Sequence, residues 1–158
     1  MKTPWRRLRA LALAVCTAWA AHTAVAQTPI ATSNTQALAF GKFAAGSGGT
    51  ITVGPSGARS AGGGVVLVSS GAGAAAQFSV SGDANATYAI SLPADGTVSL
   101  TSGANSMAVN TFTSSPSPTG TLGAGGTQTL LVGATLTVGG NQPVGSYSGA
   151  FDVTVNYN

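Results

Sequence analysis

Beyond residue 26 the charged side chains are Lys42, Arg59, Asp83, Asp95 and Asp152. His22 and Cys16 are the single histidine and cysteine of the chain, and both lie upstream; no glutamate occurs anywhere. General acid–base catalysis needs a group that titrates near the working pH, and three aspartates in separate segments supply none. Asp83 and Asp95 fall in turn clusters, Gly82-Asp83-Ala84-Asn85 and Pro93-Ala94-Asp95-Gly96, where an Asp commonly bonds its own backbone. Asp152 falls on the polar face of an alternating segment. Zinc and copper take Cys and His. Asp83 and Asn85 would offer calcium two oxygens of the roughly six to eight it takes, and no Asp-x-Asp-x-Asp loop is present. Lys42 and Arg59 read as solvated surface cations, too few to hold a polyanion. The expectation is a chain with no catalytic residue, no cofactor, no metal and no nucleic-acid partner.

The overall basic balance comes from one end. Of the six Lys and Arg, Lys2, Arg6, Arg7 and Arg9 precede residue 10. They are followed by an apolar stretch at 10–21 and by Ala24-Val25-Ala26, the three parts of a secretory signal peptide. The apolar stretch is shorter than the roughly 20 residues that span a bilayer, and the bulky Val15 argues against a lipid anchor at Cys16. Residues 1–26 therefore read as a signal peptide, with cleavage expected before Gln27. Residues 27–158 read as one domain without disulfides or a membrane span. The expected destination is the periplasm in transit, then the cell surface or the exterior.

The elements that must position any site are short and alternating. Apolar pairs of period two recur at Leu38/Phe40, Ile51/Val53, Val66/Val68, Phe78/Val80, Tyr88/Ile90, Leu130/Val132 and Leu136/Val138, separated by clusters of Gly, Ser, Asn, Asp and Pro. No window carries a helical period. About nine or ten short strands at spacings near 8–12 residues predict an all-β sandwich, and the lack of a fixed repeat argues against a solenoid. Residues 71–75 and 114–123 read as flexible loops.

At the carboxyl terminus Tyr147, Gly149, Phe151, Val153, Val155 and Tyr157 alternate with Ser148, Ala150, Asp152, Thr154, Asn156 and Asn158, predicting one strand that runs to the last residue. Gly145 upstream, alternating Phe151, Val153 and Val155, and the penultimate Tyr157 together resemble the C-terminal strand motif of chaperone–usher pilus subunits. That resemblance implies an incomplete immunoglobulin-like sandwich of the pilin type. Its groove would be filled first by a periplasmic chaperone and then by a strand from a like subunit. Gly145, Phe151, Val153, Val155 and Tyr157 would form the strand-complementation interface, with Ile30, Leu38 and Phe40 as N-terminal strand contacts.

A second resemblance covers nearly all of the chain beyond residue 26. Leu38-Ala39-Phe40-Gly41, Gly48-Gly49-Thr50-Ile51-Thr52-Val53, Phe78-Ser79-Val80-Ser81-Gly82 and Leu131-Val132-Gly133-Ala134-Thr135-Leu136 look like the bacterial secreted family called domain of unknown function 4402. That family is similar in turn to spore coat protein U and fimbrial subunits. The expected role is an exported structural subunit of a fimbria-like surface fibre, assembled by β-strand complementation. As a donor strand, residues 27–37 are poor: Ile30 is their only large apolar residue and Pro29 removes a ladder N–H. The alternative expectation is a self-complemented secreted or surface sandwich that binds a glycan or a protein ligand.

Overall fold

The computed structural model describes residues 26–158. All of the expected targeting segment except Ala26 lies outside them. The described residues form no helix. Strands β1 (Ala31–Gln36), β2 (Phe43–Ala44), β3 (Gly49–Val53) and β4 (Arg59–Gly63) come first, followed by β5 (Val66–Leu67), β6 (Ala76–Ser81), β7 (Thr87–Ser91) and β8 (Val98–Ser102). The chain ends through β9 (Asn105–Ser115), β10 (Thr119–Thr121), β11 (Thr127–Val138) and β12 (Thr154–Tyr157). Every pairing is antiparallel, and the architecture is an all-β sandwich.

β11 is the spine of the larger sheet. Along one edge its first half pairs with β6 and its second half with β3; along the other edge it pairs with β9. β1 borders β6, β4 borders β3 and β8 borders β9. The change of partner happens at Gly133, where a Cβ would strike the Val53 carbonyl oxygen, so only glycine lets the spine pass the end of β3. Facing this sheet, β7 lies between β10 and β12. β2 and β5 form a small two-stranded sheet that adjoins β4.

The alternating residues of β11 feed two core clusters. Ala134, Leu136 and Val138 pack with Phe40, Ile51, Val53, Met107 and Val109. Leu130 and Val132 pack with Phe78, Val80, Tyr88, Leu122 and Val155. Leu38, Phe112 and Phe151 touch both clusters. The Phe151 ring stands edge-on to Phe78 at 6.1 Å and tilted against Phe112 at 5.1 Å, within the favoured range for aromatic pairs.

Several sequence expectations need correction. The predicted terminal strand is not continuous: only Thr154–Tyr157 pairs with β7, and Ser148 makes an isolated bridge to Thr101. Continuing the register of Thr154 with Ser91 would set Asp152 opposite Pro93, which has no N–H to extend the ladder. Asp152 thus lies outside the strand. Val66 and Val68 face outward, and Val65 is the buried residue of that run. All four of its residues, 65–68, are apolar, so alternation could not choose a face. Residues 114–123, expected to be a loop, contain the end of β9 and all of β10, which pairs with β7.

Candidate functional site

A groove opens between an N-terminal wall, residues 34–46, and a C-terminal wall, residues 141–151. Its wider part holds about 1140 Å³ and its narrower part about 300 Å³. Leu38, Phe40, Leu100 and Gly149 border both parts, so the two are continuous. Met107 and Leu136 floor the wide part; Phe78, Val98, Val109 and Phe151 line the narrow one. Among the described residues Lys42 is the only charged side chain along it, and Val144 at its border is fully exposed.

Among the described residues, both walls run as largely unpaired backbone, at residues 37–41 and 145–153. Residues 37–41 make one backbone pair, Ala39 with Ala74, at 2.8 Å in each direction. Residues 145–153 likewise make one, Ser148 with Thr101, at 2.8 and 3.0 Å. A buried or groove-facing N–H or C=O left without a partner is costly, so these edges are suited to an extended backbone. The N-terminal wall is held from behind by Arg59. Its Nη1 donates to the carbonyls of Phe40 and Lys42 at 2.9 and 3.2 Å, and its Nη2 to that of Val68 at 3.1 Å. Arg59 is therefore no solvated surface cation, as its sequence context suggested, but a staple that fixes one side of the groove. Lys42 is exposed, as expected.

The walls meet at both ends. At one end the Asn141 N–H donates to the Gly46 carbonyl at 3.3 Å. At the other, the Tyr157 hydroxyl accepts from the Asp83 N–H at 2.6 Å and donates to the Thr28 carbonyl at 2.8 Å. The Thr28 N–H completes the ring by donating to Asp83 Oδ1 at 2.9 Å. A Cβ on Gly82 would strike the Tyr157 hydroxyl, so glycine is required beneath it.

Of the residues singled out in the sequence, Gly145 and Phe151 border the groove together with Leu38 and Phe40. Val153, Val155, Tyr157 and Ile30 do not: they pack into the second core cluster beyond its narrow end. Leu100, Met107, Val98 and Val109 of β8 and β9 form much of the groove lining. Their alternation carries no sign that one face stays uncovered.

Asp83 and Asp95 serve backbone. Instead of bonding their own turns through their carboxylates, Asp83 reaches Thr28, and Asp95 Oδ1 accepts from the Thr111 N–H at 2.6 Å. Among the described residues no cluster of three metal-ligating side chains occurs, and no helix is long and apolar enough to cross a membrane. Buried Tyr88 donates to Gln128 Oε1 at 2.7 Å, and burial pushes its hydroxyl pKa above the ordinary value.

No curated protein and no solved structure matches the chain. The sequence model of the family described as a domain of unknown function, DUF4402, matches residues 30–157, from the residue that enters the second core cluster to the tyrosine of the hydroxyl clasp, and the chain belongs to that family.

Proposed function

We propose that the protein is an exported structural subunit of a fimbria-like surface fibre, completed by a β-strand from a neighbouring subunit. The observation that carries this reading is the groove itself: an apolar floor between two walls that, among the described residues, make a single backbone pair each over 37–41 and 145–153. Such a site suits β-augmentation, in which main-chain hydrogen bonds give affinity and alternating side chains give register. Burying each large apolar side chain of the incoming strand contributes up to about 1.5–3 kcal/mol. Before assembly the same groove would be covered by a periplasmic chaperone. Head-to-tail contacts of this type do not close, and so they propagate as a filament.

One observation favours a second reading, a self-complemented secreted or surface sandwich with a glycan or protein ligand. β1 already pairs with β6 of its own chain, and Ile30 already packs in the second cluster, so the segment upstream of the groove is engaged at home. Size-exclusion chromatography with light scattering decides between the two. A fibre subunit gives oligomers that grow with protein concentration and that a ten-residue peptide of alternating valine and threonine disperses. A monomer at every concentration, binding no such peptide, would overturn the fibre reading.

A further inference from the structure

We infer that the Tyr157 hydroxyl clasp is the end stop of the groove and fixes the register of the strand it receives. This rests on the strand-accepting reading of the groove. The space between the walls ends at Asn34 and Phe151. Beyond that point Ile30, Val153 and Val155 fill the interior with their own side chains, and the clasp ties the walls together. Three hydrogen bonds join the lead into β1, the turn after β6 and the end of β12. The opposite tie has a single bond, Asn141 to Gly46, and lies beside the wider opening, so the narrow end is the more firmly closed. An incoming strand therefore lies alongside residues 37–42 and 145–151, and its last inward side chain meets Phe78 and Phe151. Tyr157 is a positioning residue in this scheme: it does not touch the incoming strand, yet it decides where that strand must stop.

Amide hydrogen exchange on the purified protein tests this, with the ten-residue valine–threonine peptide as probe. With wild type, the peptide should slow exchange at 37–42 and 145–151 and leave 28–36 and 153–157 unchanged. In Tyr157→Phe, which keeps the ring and loses both hydroxyl bonds, residues 28–36 should exchange roughly tenfold faster without peptide, and the peptide footprint should extend into them. An unchanged footprint in Tyr157→Phe would overturn the end-stop role. Asp83→Ala removes one of the three clasp bonds and keeps both hydroxyl bonds; should Tyr157→Phe fail to fold, it should quicken exchange at 28–36 and extend the footprint there to a smaller degree, and no change in either would overturn the end-stop role. Absence of any footprint on wild type would instead sink the strand-accepting reading. The peptide-free exchange of 28–36 still reports on the clasp in that case, and no acceleration there would overturn it independently.

Discussion

Tyr88 shows how a single side chain links burial to a measurable dependence on pH. Its ring is fully buried in the second core cluster, and its hydroxyl pKa is raised by desolvation. The neutral form is thus favoured in the folded protein, and its contribution is fully present below the unfolded tyrosine value of about 10. That contribution is lost as pH rises through the higher folded value. Denaturant titrations from pH 7 to about pH 11 should show a fall in stability at the alkaline end, part of which disappears in Tyr88→Phe. At neutral pH the substitution should cost about 1 kcal/mol, since Gln128 Oε1 keeps its bond from the Thr121 N–H. An identical alkaline slope in both proteins would contradict the assignment. Arg59 makes a related point: sequence context gave no sign that a lone arginine would cap three carbonyls, because its acceptors lie on segments brought together only by the fold.

Among the elements, β9 carries a local strain with an identifiable cause. Between Gly133 and Thr135 of β11 the register shifts, so that Thr111 and Phe112 stand opposite Ala134 alone. Thr111 takes a φ of 51°, which is costly for a β-branched residue. The bulge is held by the turn before β8. Asp95 accepts from the Thr111 N–H, and the Gly96 N–H donates to Asn110 Oδ1 at 2.9 Å. The kink sets Phe112 against Phe151 at the junction of the two clusters. Because both turn contacts are kept when the Thr111 side chain is removed, Thr111→Gly should stabilise the protein by about 1 kcal/mol. A lowered denaturation midpoint would show that the threonine side chain is required there.

At the scale of the whole molecule, the groove determines what kind of association to expect. Among the described residues Lys42 is its only charged side chain, so strand capture rests on apolar burial and backbone hydrogen bonding. Oligomers measured by light scattering should therefore persist at about 0.5 M sodium chloride, where exposed charges are strongly screened, and should be strengthened by sulfate. Dissociation on adding sodium chloride would point to a charged interface elsewhere on the surface.

The sequence by itself determined the all-β class, the scarcity of reactive side chains beyond residue 26 and most of the buried faces, because alternation and turn residues are local properties. Ile51/Val53, Phe78/Val80 and Leu130/Val132 are buried or nearly so, as their period requires. The family was legible too, in the order of its glycine-punctuated motifs. Alternation failed where it carried no information, as in the all-apolar run at 65–68, and where a partner set the limit, as where Pro93 stops β7 from pairing with Asp152. Only the tertiary structure decided that the apolar residues 145–157 divide between two jobs. Phe151 borders an open groove, while Val153, Val155 and Tyr157 close the core beside it. A period of two says that a side chain turns inward, but whether a neighbouring strand covers it depends on segments distant along the chain. The clasp that joins Thr28, Asp83 and Tyr157 is a meeting of this kind.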